Sequence, residues 1–222
     1  ELNPGMTPAE ILSKLLSGQV VLHPVTVPEG LTINQVADVA SQQGLTDREE
    51  FIRLARDREF IRSLGIKAET LEGYLYPDTY KFPRPIKARE LLVAMVERLK
   101  QVVGPDLLAR MEELKMTIHE VLTLASVIEK ETGTGSERPE ISAVFHNRLK
   151  KHIPLQSDPT VIYGLPSFDG NLRKKDLSSP SPYNTYRVQG LPPGPIANPG
   201  IQAIRATLYP SDSRSLYFVS RN

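Results

Sequence analysis

The chain has 222 residues, enough for one large domain or two small ones. Lys and Arg total 27 against 26 Asp and Glu, a net charge of +1, so no global field favours nucleic acid or an acidic surface. There is no cysteine, which excludes disulfides, thiolate metal sites and a cysteine nucleophile, while 40% hydrophobic and 24% charged residues predict a packed core rather than disorder.

Residues 1–46 read as a small unit of their own. Thr7-Pro8-Ala9-Glu10 is a helix start, with a capping threonine, a proline at the first helical position and an acid in the first turn. Ile11, Leu12, Leu15 and Leu16 follow at helical spacing, and Gly18 is the stop. Val20 to Val27 is valine-rich and alternates loosely, so it predicts a strand. After the turn Pro28-Glu29-Gly30, Thr32 caps a second helix with Val36, Val39 and Ala40 on one face, closed by Gly44. The complete helix-strand-helix pattern predicts few apolar contacts to the helical core expected over Ile118–Lys151; the other reading is a small α+β piece packed on the next domain.

Asp47 to Leu64 predicts one charged helix with Phe51, Ile52, Leu54, Ala55 and Ile61 inward. Interleaved acids make its arginine face a solvated surface rather than a nucleic-acid stripe. Leu71 to Tyr80 holds three tyrosines in an aromatic loop or short strand. Helices are expected over 86–103, 107–114, 118–132 and 139–151, the third capped by Thr117 and ended by Gly133. From Pro154 to Gly200 proline, glycine, serine and tyrosine dominate, which predicts a long shaped loop region of functional character. Ser215 to Ser220 predicts a strand.

Familiar nucleophile, phosphate-loop, dinucleotide and zinc motifs are missing, and His23, His119, His146 and His152 are scattered, so no metal site is expected. The chemistry is concentrated in the helix ending Ala125-Ser126-Val127-Ile128-Glu129-Lys130-Glu131-Thr132. On a helical wheel both glutamates fall within the apolar arc near opposite edges, while Lys130, His119 and Ser126 fall on the other side. An acid on an apolar face is desolvated and its pKa rises, as a general acid near neutral pH requires. The competing reading is a glutamate held in an internal salt bridge to Arg138 or Arg148.

That run, followed by Ser136-Glu137-Arg138, resembles the YceG-like (MltG) endolytic murein transglycosylases. So do Glu72-Gly73-Tyr74-Leu75-Tyr76-Pro77-Asp78-Thr79-Tyr80, Phe145-His146-Asn147-Arg148-Leu149, Leu155 to Gly164, Ser181-Pro182-Tyr183-Asn184-Thr185-Tyr186 and Gly190 to Ile196. The resemblance spans essentially the whole chain. It implies an α+β fold: a small LysM-like, glycan-binding subdomain at 1–46, then a mainly helical, lysozyme-like catalytic domain at 47–222 with long Pro/Gly-rich loops and short strands. It implies cleavage of nascent peptidoglycan strands between N-acetylmuramic acid and N-acetylglucosamine, with no cofactor. A single glutamate acts as acid and then as base, leaving a 1,6-anhydro end.

Glu131-Thr132 is similar to the Glu-Ser pair of related transglycosylases and goose-type lysozymes. Glu131 is therefore the expected catalytic residue, with Glu129 as the alternative and otherwise a supporting buried carboxylate. Gln156, Tyr163, Tyr183, Asn184 and Tyr186 are the candidates to line the glycan cleft. The aromatic loops Tyr74–Tyr80 and Tyr183–Tyr186 are both expected at the C-terminal end of the catalytic helix. Asp158 and Asp78 are expected to form turns. The chain begins at Glu1 rather than Met, so further sequence is expected upstream; the resemblance implies that it carries an anchor in the inner membrane, with the catalytic part on the outer face and peptidoglycan synthases as further partners. The family continues beyond the Tyr217-Phe218-Val219 segment. A hydrolytic muramidase and a non-catalytic wall-binding scaffold are the rival readings.

Overall fold

A computed structural model describes residues 3–18 and 20–219. In chain order its elements are α1 (Pro8–Leu16), β1 (His23–Thr26), α2 (Ile33–Gln42), α3 (Arg48–Ala55), α4 (Arg58–Ser63), β2 (Thr79–Phe82), α5 (Ala88–Val102), α6 (Pro105–Leu114), α7 (Ile118–Glu131), α8 (Arg138–Lys150), α9 (Asp158–Gly164) and α10 (Ile201–Leu208). Helix dominates, and the sheet among the described residues has two strands.

The helix starts read from sequence are in place because caps are local. Thr7, Thr32 and Thr117 each form a full capping box with the residue three positions on. α1 nevertheless buries none of its residues among the described ones: Leu12, Leu15 and Leu16 are exposed. The expected Val20–Val27 strand is shorter, because strand geometry begins only where a partner exists. β1 pairs antiparallel with β2, His23 opposite Phe82 and Thr26 opposite Thr79. The sheet that starts in the N-terminal segment therefore closes at residue 82. One apolar cluster also runs without a break from Val25, Val36 and Leu45 through Phe51 into α5 and α7.

The expected helix over Asp47–Leu64 is two helices. The Asp57 side chain accepts from Phe60 N at 2.9 Å and caps α4. An aspartate that competes for backbone N–H groups breaks a helix where a longer side chain would not. The bend lets Phe51 and Phe60 both be buried.

α7 is the central element. Every residue from Val121 to Ile128 is buried. Val121, Leu122 and Ala125 join the large core shared with α2, α3, α5 and α10. Leu124, Val127 and Ile128 join a second core with Ile141, Phe145, Leu155 and Ile196. A helix covered on both sides is apolar nearly all round. Ser126, expected on the side opposite the apolar arc, is fully buried; its hydroxyl donates to Thr123 O and accepts from Ile196 N at 2.9 Å.

The Pro154–Gly200 region is mostly irregular, as its composition predicts, but it contains the seven-residue α9 with a proline in its first turn. Residues 215–219 form no strand, and Ser220 lies outside the described residues. Side chains of α8 satisfy that backbone instead: Asn147 Nδ2 donates to the carbonyls of Ser213 and Ser215, and Arg148 Nε to that of Leu216.

Candidate active site

Glu129 and Glu131 leave the last turn of α7 about 200° apart and meet different surroundings. Glu129 is enclosed. Its Oε1 accepts from Arg138 Nη2 at 2.6 Å and its Oε2 from Gly200 N at 3.0 Å, so both oxygens are occupied. Both side chains of the pair are over nine-tenths buried, and Glu29 stands 3.9 Å from the same guanidinium. Burial pushes the Glu129 pKa up, while Gly200 N–H and Arg138 pull it back. This is the internal salt bridge that the sequence allowed for one of the two glutamates.

Glu131 lines a cavity of about 190 Å³ with Arg148, Gln156, Asp158, Tyr186 and Tyr217. Its Oε1 accepts from Ser157 Oγ, and its Oε2 accepts no hydrogen bond among the described residues. Burial drives its pKa above the ordinary carboxylate value; the Ser157 hydroxyl and Arg148 oppose the shift, and the Asp158 charge adds to it. The two glutamates thus share a direction of pKa shift, and what separates them is access: one has a free oxygen facing a cavity, the other has none.

Asp158, expected to be a turn former, opens α9 and faces the same cavity, where Tyr186 Oη donates to its Oδ1 at 2.6 Å. Arg148 is buried and builds the wall: its Nη1 donates to Leu155 O at 2.8 Å, and its guanidinium lies 4.9 Å over the Tyr217 ring. Ser157, Asp158, Arg148 and Tyr217 are therefore site residues that sequence reasoning did not select. Ser157-Asp158-Pro159 carries a readable helix-start signal that composition alone obscured.

The other candidates divide. Gln156 joins Glu131, with a left-handed backbone (φ 52°) and its N–H bonded to Thr185 O. Tyr186 does too. Tyr163 and Tyr183 stand at the far end of α9, ring centroids 4.8 Å apart, roughly 8 Å along the axis from Asp158. There Tyr183 lines a second cavity of about 740 Å³ with Glu72, His119, Arg62, Lys67 and Pro193. Asn184 lines neither cavity. It is fully buried, its Nδ2 donates to Leu177 O and Ser179 O, and its Oδ1 accepts from Tyr186 N, so it braces the turn.

Of the two aromatic loops expected near the acid, Tyr183–Tyr186 places Tyr186 in the Glu131 cavity, whereas no residue of Tyr74–Tyr80 lines it. Tyr74 stacks on His119 and bonds its Nδ1 at 2.9 Å, which places it at the N-terminal end of α7, about 18 Å from Glu131 along the helix. Loop residues 71–74 lie where Pro195 allows: a Cβ on Gly73 (φ 83°) would stand 2.4 Å from the Pro195 ring.

The YceG-like family model matches residues 1–222. An endolytic murein transglycosylase of Bacillus subtilis is 37% identical over all of this chain, which spans 66% of that relative's length. An endolytic murein transglycosylase of Streptococcus pneumoniae is 30% identical over 99% of the chain, which spans 45% of it. A crystal structure of a YceG-like protein from Listeria monocytogenes is 37% identical and superposes with a TM-score of 0.81 over 98% of this chain and 77% of that one.

Proposed function

Because the chain belongs to the YceG-like family, we propose that it is an endolytic peptidoglycan lytic transglycosylase with Glu131 as its catalytic group. The observation that carries the proposal is a desolvated carboxyl with one unbonded oxygen at an open cavity. In the first step the Glu131 proton passes to the glycosidic oxygen between N-acetylmuramic acid and N-acetylglucosamine, and the C1–O bond breaks. In the second step the Glu131 carboxylate takes the proton of the muramyl C6 hydroxyl, whose oxygen closes on C1. Glu131 ends protonated and no water is consumed. A hydroxyl of the same sugar has an effective concentration that water does not match. Ser157 holds one oxygen of Glu131, leaving the other for the substrate.

Gln156 and Tyr186 then contact the sugars beside the broken bond, Tyr183 contributes farther along at the second cavity, and Glu129 supports the fold through Arg138. The arrangement of β1, α2, α3, α4 and β2 is the part that would serve as the LysM-like glycan-binding unit. An anchor upstream in the cytoplasmic membrane, and partnership with peptidoglycan synthases, belong to the same proposal. Among the described residues no helix is long and apolar enough to cross a membrane.

One observation favours a second reading. Asp158 is a further carboxylate in the Glu131 cavity, and paired carboxylates serve hydrolytic glycosidases. Mass spectrometry of fragments released from purified peptidoglycan separates the two. Anhydro-muramyl ends are expected; reducing ends would make the enzyme a muramidase, and no release at all would leave a wall-binding scaffold.

A further inference from the structure

Glu72 lies outside the Glu131 cavity, yet it is the most elaborately held carboxylate among the described residues. It is 5% exposed. Its oxygens accept from Ile33 N at 3.0 Å, Asn198 Nδ2 at 3.2 Å and Tyr163 Oη at 3.2 Å. These donors belong to three separate parts of the fold: the first turn of α2, the segment leading into α10, and α9.

α9 is the physical connection to the acid. At its C-terminal end Tyr163 is tied to Glu72 and packs its ring at a tilt against Tyr183, and a Cβ on Gly164 would stand 2.3 Å from Ser181 Oγ, so this end is seated closely on the turn before Tyr183. At its N-terminal end Ser157 N donates to Thr185 Oγ1 at 3.0 Å, and the Thr160 hydroxyl donates to Ser157 O at 2.6 Å. Ser157 then gives its hydroxyl to Glu131. A helix of seven residues held at both ends moves as a rigid rod, so the position of its far end fixes that of Ser157.

We propose that Glu72 is a positioning residue for catalysis: through Tyr163 and α9 it sets Ser157, and through Ser157 the orientation of the Glu131 carboxyl. The inference rests on Glu131 being the acid. It predicts that the Glu72–Tyr163 contact matters to the rate and not to substrate capture.

The test is a double-mutant cycle of Glu72→Gln and Tyr163→Phe, read as kcat and KM on purified glycan strands, with Glu131→Gln alongside and melting curves for every variant. Tyr163→Phe keeps the ring contact with Tyr183 and removes only the hydroxyl, so it carries the test if Glu72→Gln fails to fold. Each single variant should lose about 10- to 100-fold in kcat with KM unchanged, the range for a misplacement of about 1 Å. The double variant should be no slower than the worse single one, because both remove the same link. Wild-type kcat in a folded Tyr163→Phe would overturn the proposal, leaving Glu72 a purely structural carboxylate. A raised KM with kcat intact would overturn it in favour of substrate contact in the second cavity, and additive losses would overturn the shared path. Activity surviving in Glu131→Gln would instead refute the assignment of the acid itself.

Discussion

Replacing Glu131 by glutamine separates chemistry from stability. The amide keeps the shape and can still accept from Ser157 Oγ, the only hydrogen bond that the carboxyl makes among the described residues, so the melting temperature should hardly move. The proton is lost from both steps. General acid–base catalysis contributes about 10²–10⁴-fold per group, and one group serving twice places the loss at about 10⁴-fold or beyond, a barrier increase of about 5 kcal/mol. Glu129→Gln should behave in the opposite way. It leaves the buried Arg138 side chain with Glu29 at 3.9 Å as its remaining ion-pair partner among the described residues. Removing one partner of a buried pair costs about 3–5 kcal/mol of stability, while activity per folded molecule should stay close to wild type. The assay is release of soluble fragments from purified peptidoglycan, followed by chromatography and mass spectrometry at a temperature where both variants are folded. A folded Glu129→Gln that releases nothing, together with an active Glu131→Gln, would show that access to the cavity is the wrong criterion for choosing the acid.

Ser157→Ala should move the alkaline limb of the kcat–pH profile upward, since the lost hydroxyl had been lowering the Glu131 pKa; a downward movement would contradict the assigned bond. Burial raises the Glu72 pKa from 4.5 to about 7, so its folded form holds the proton more tightly than the unfolded chain does. The stability this provides is complete below about pH 4.5, is lost as pH rises through about 7, and amounts to about 3 kcal/mol. Urea midpoints of wild type and Glu72→Gln at pH 5 and 8 check this, because the difference between the two proteins should change with pH rather than stay constant. Gly73→Ala should cost about 2–4 kcal/mol in chemical denaturation, since it combines a left-handed backbone with a methyl group driven into Pro195.

Much of this protein is written in short stretches of chain. The capping boxes at Thr7, Thr32 and Thr117 and the apolar spacing behind them are satisfied within one turn, so the sequence alone determined where those helices begin. The family blocks, including the run that carries both glutamates, are likewise legible residue by residue. What tertiary structure decided is everything that depends on a distant partner. β1 is a strand because β2 arrives 53 residues later, while Ser215 to Val219, with comparable composition, forms none because α8 side chains take its carbonyls. A helical wheel puts Glu129 and Glu131 alike in an apolar arc, since the wheel contains only α7. Arg138 and Gly200 reach one and Ser157 the other, and these come from elsewhere in the chain. Asp158 is a turn former or a member of the cavity according to where α9 is seated, and a desolvated carboxylate such as Glu72 exists only once α2, α9 and Asn198 have closed around it. Hydrogen bonds and burial between remote segments have no sequence period to betray them, and for that reason the surroundings that distinguish Glu131 from Glu129 exist only in the folded molecule.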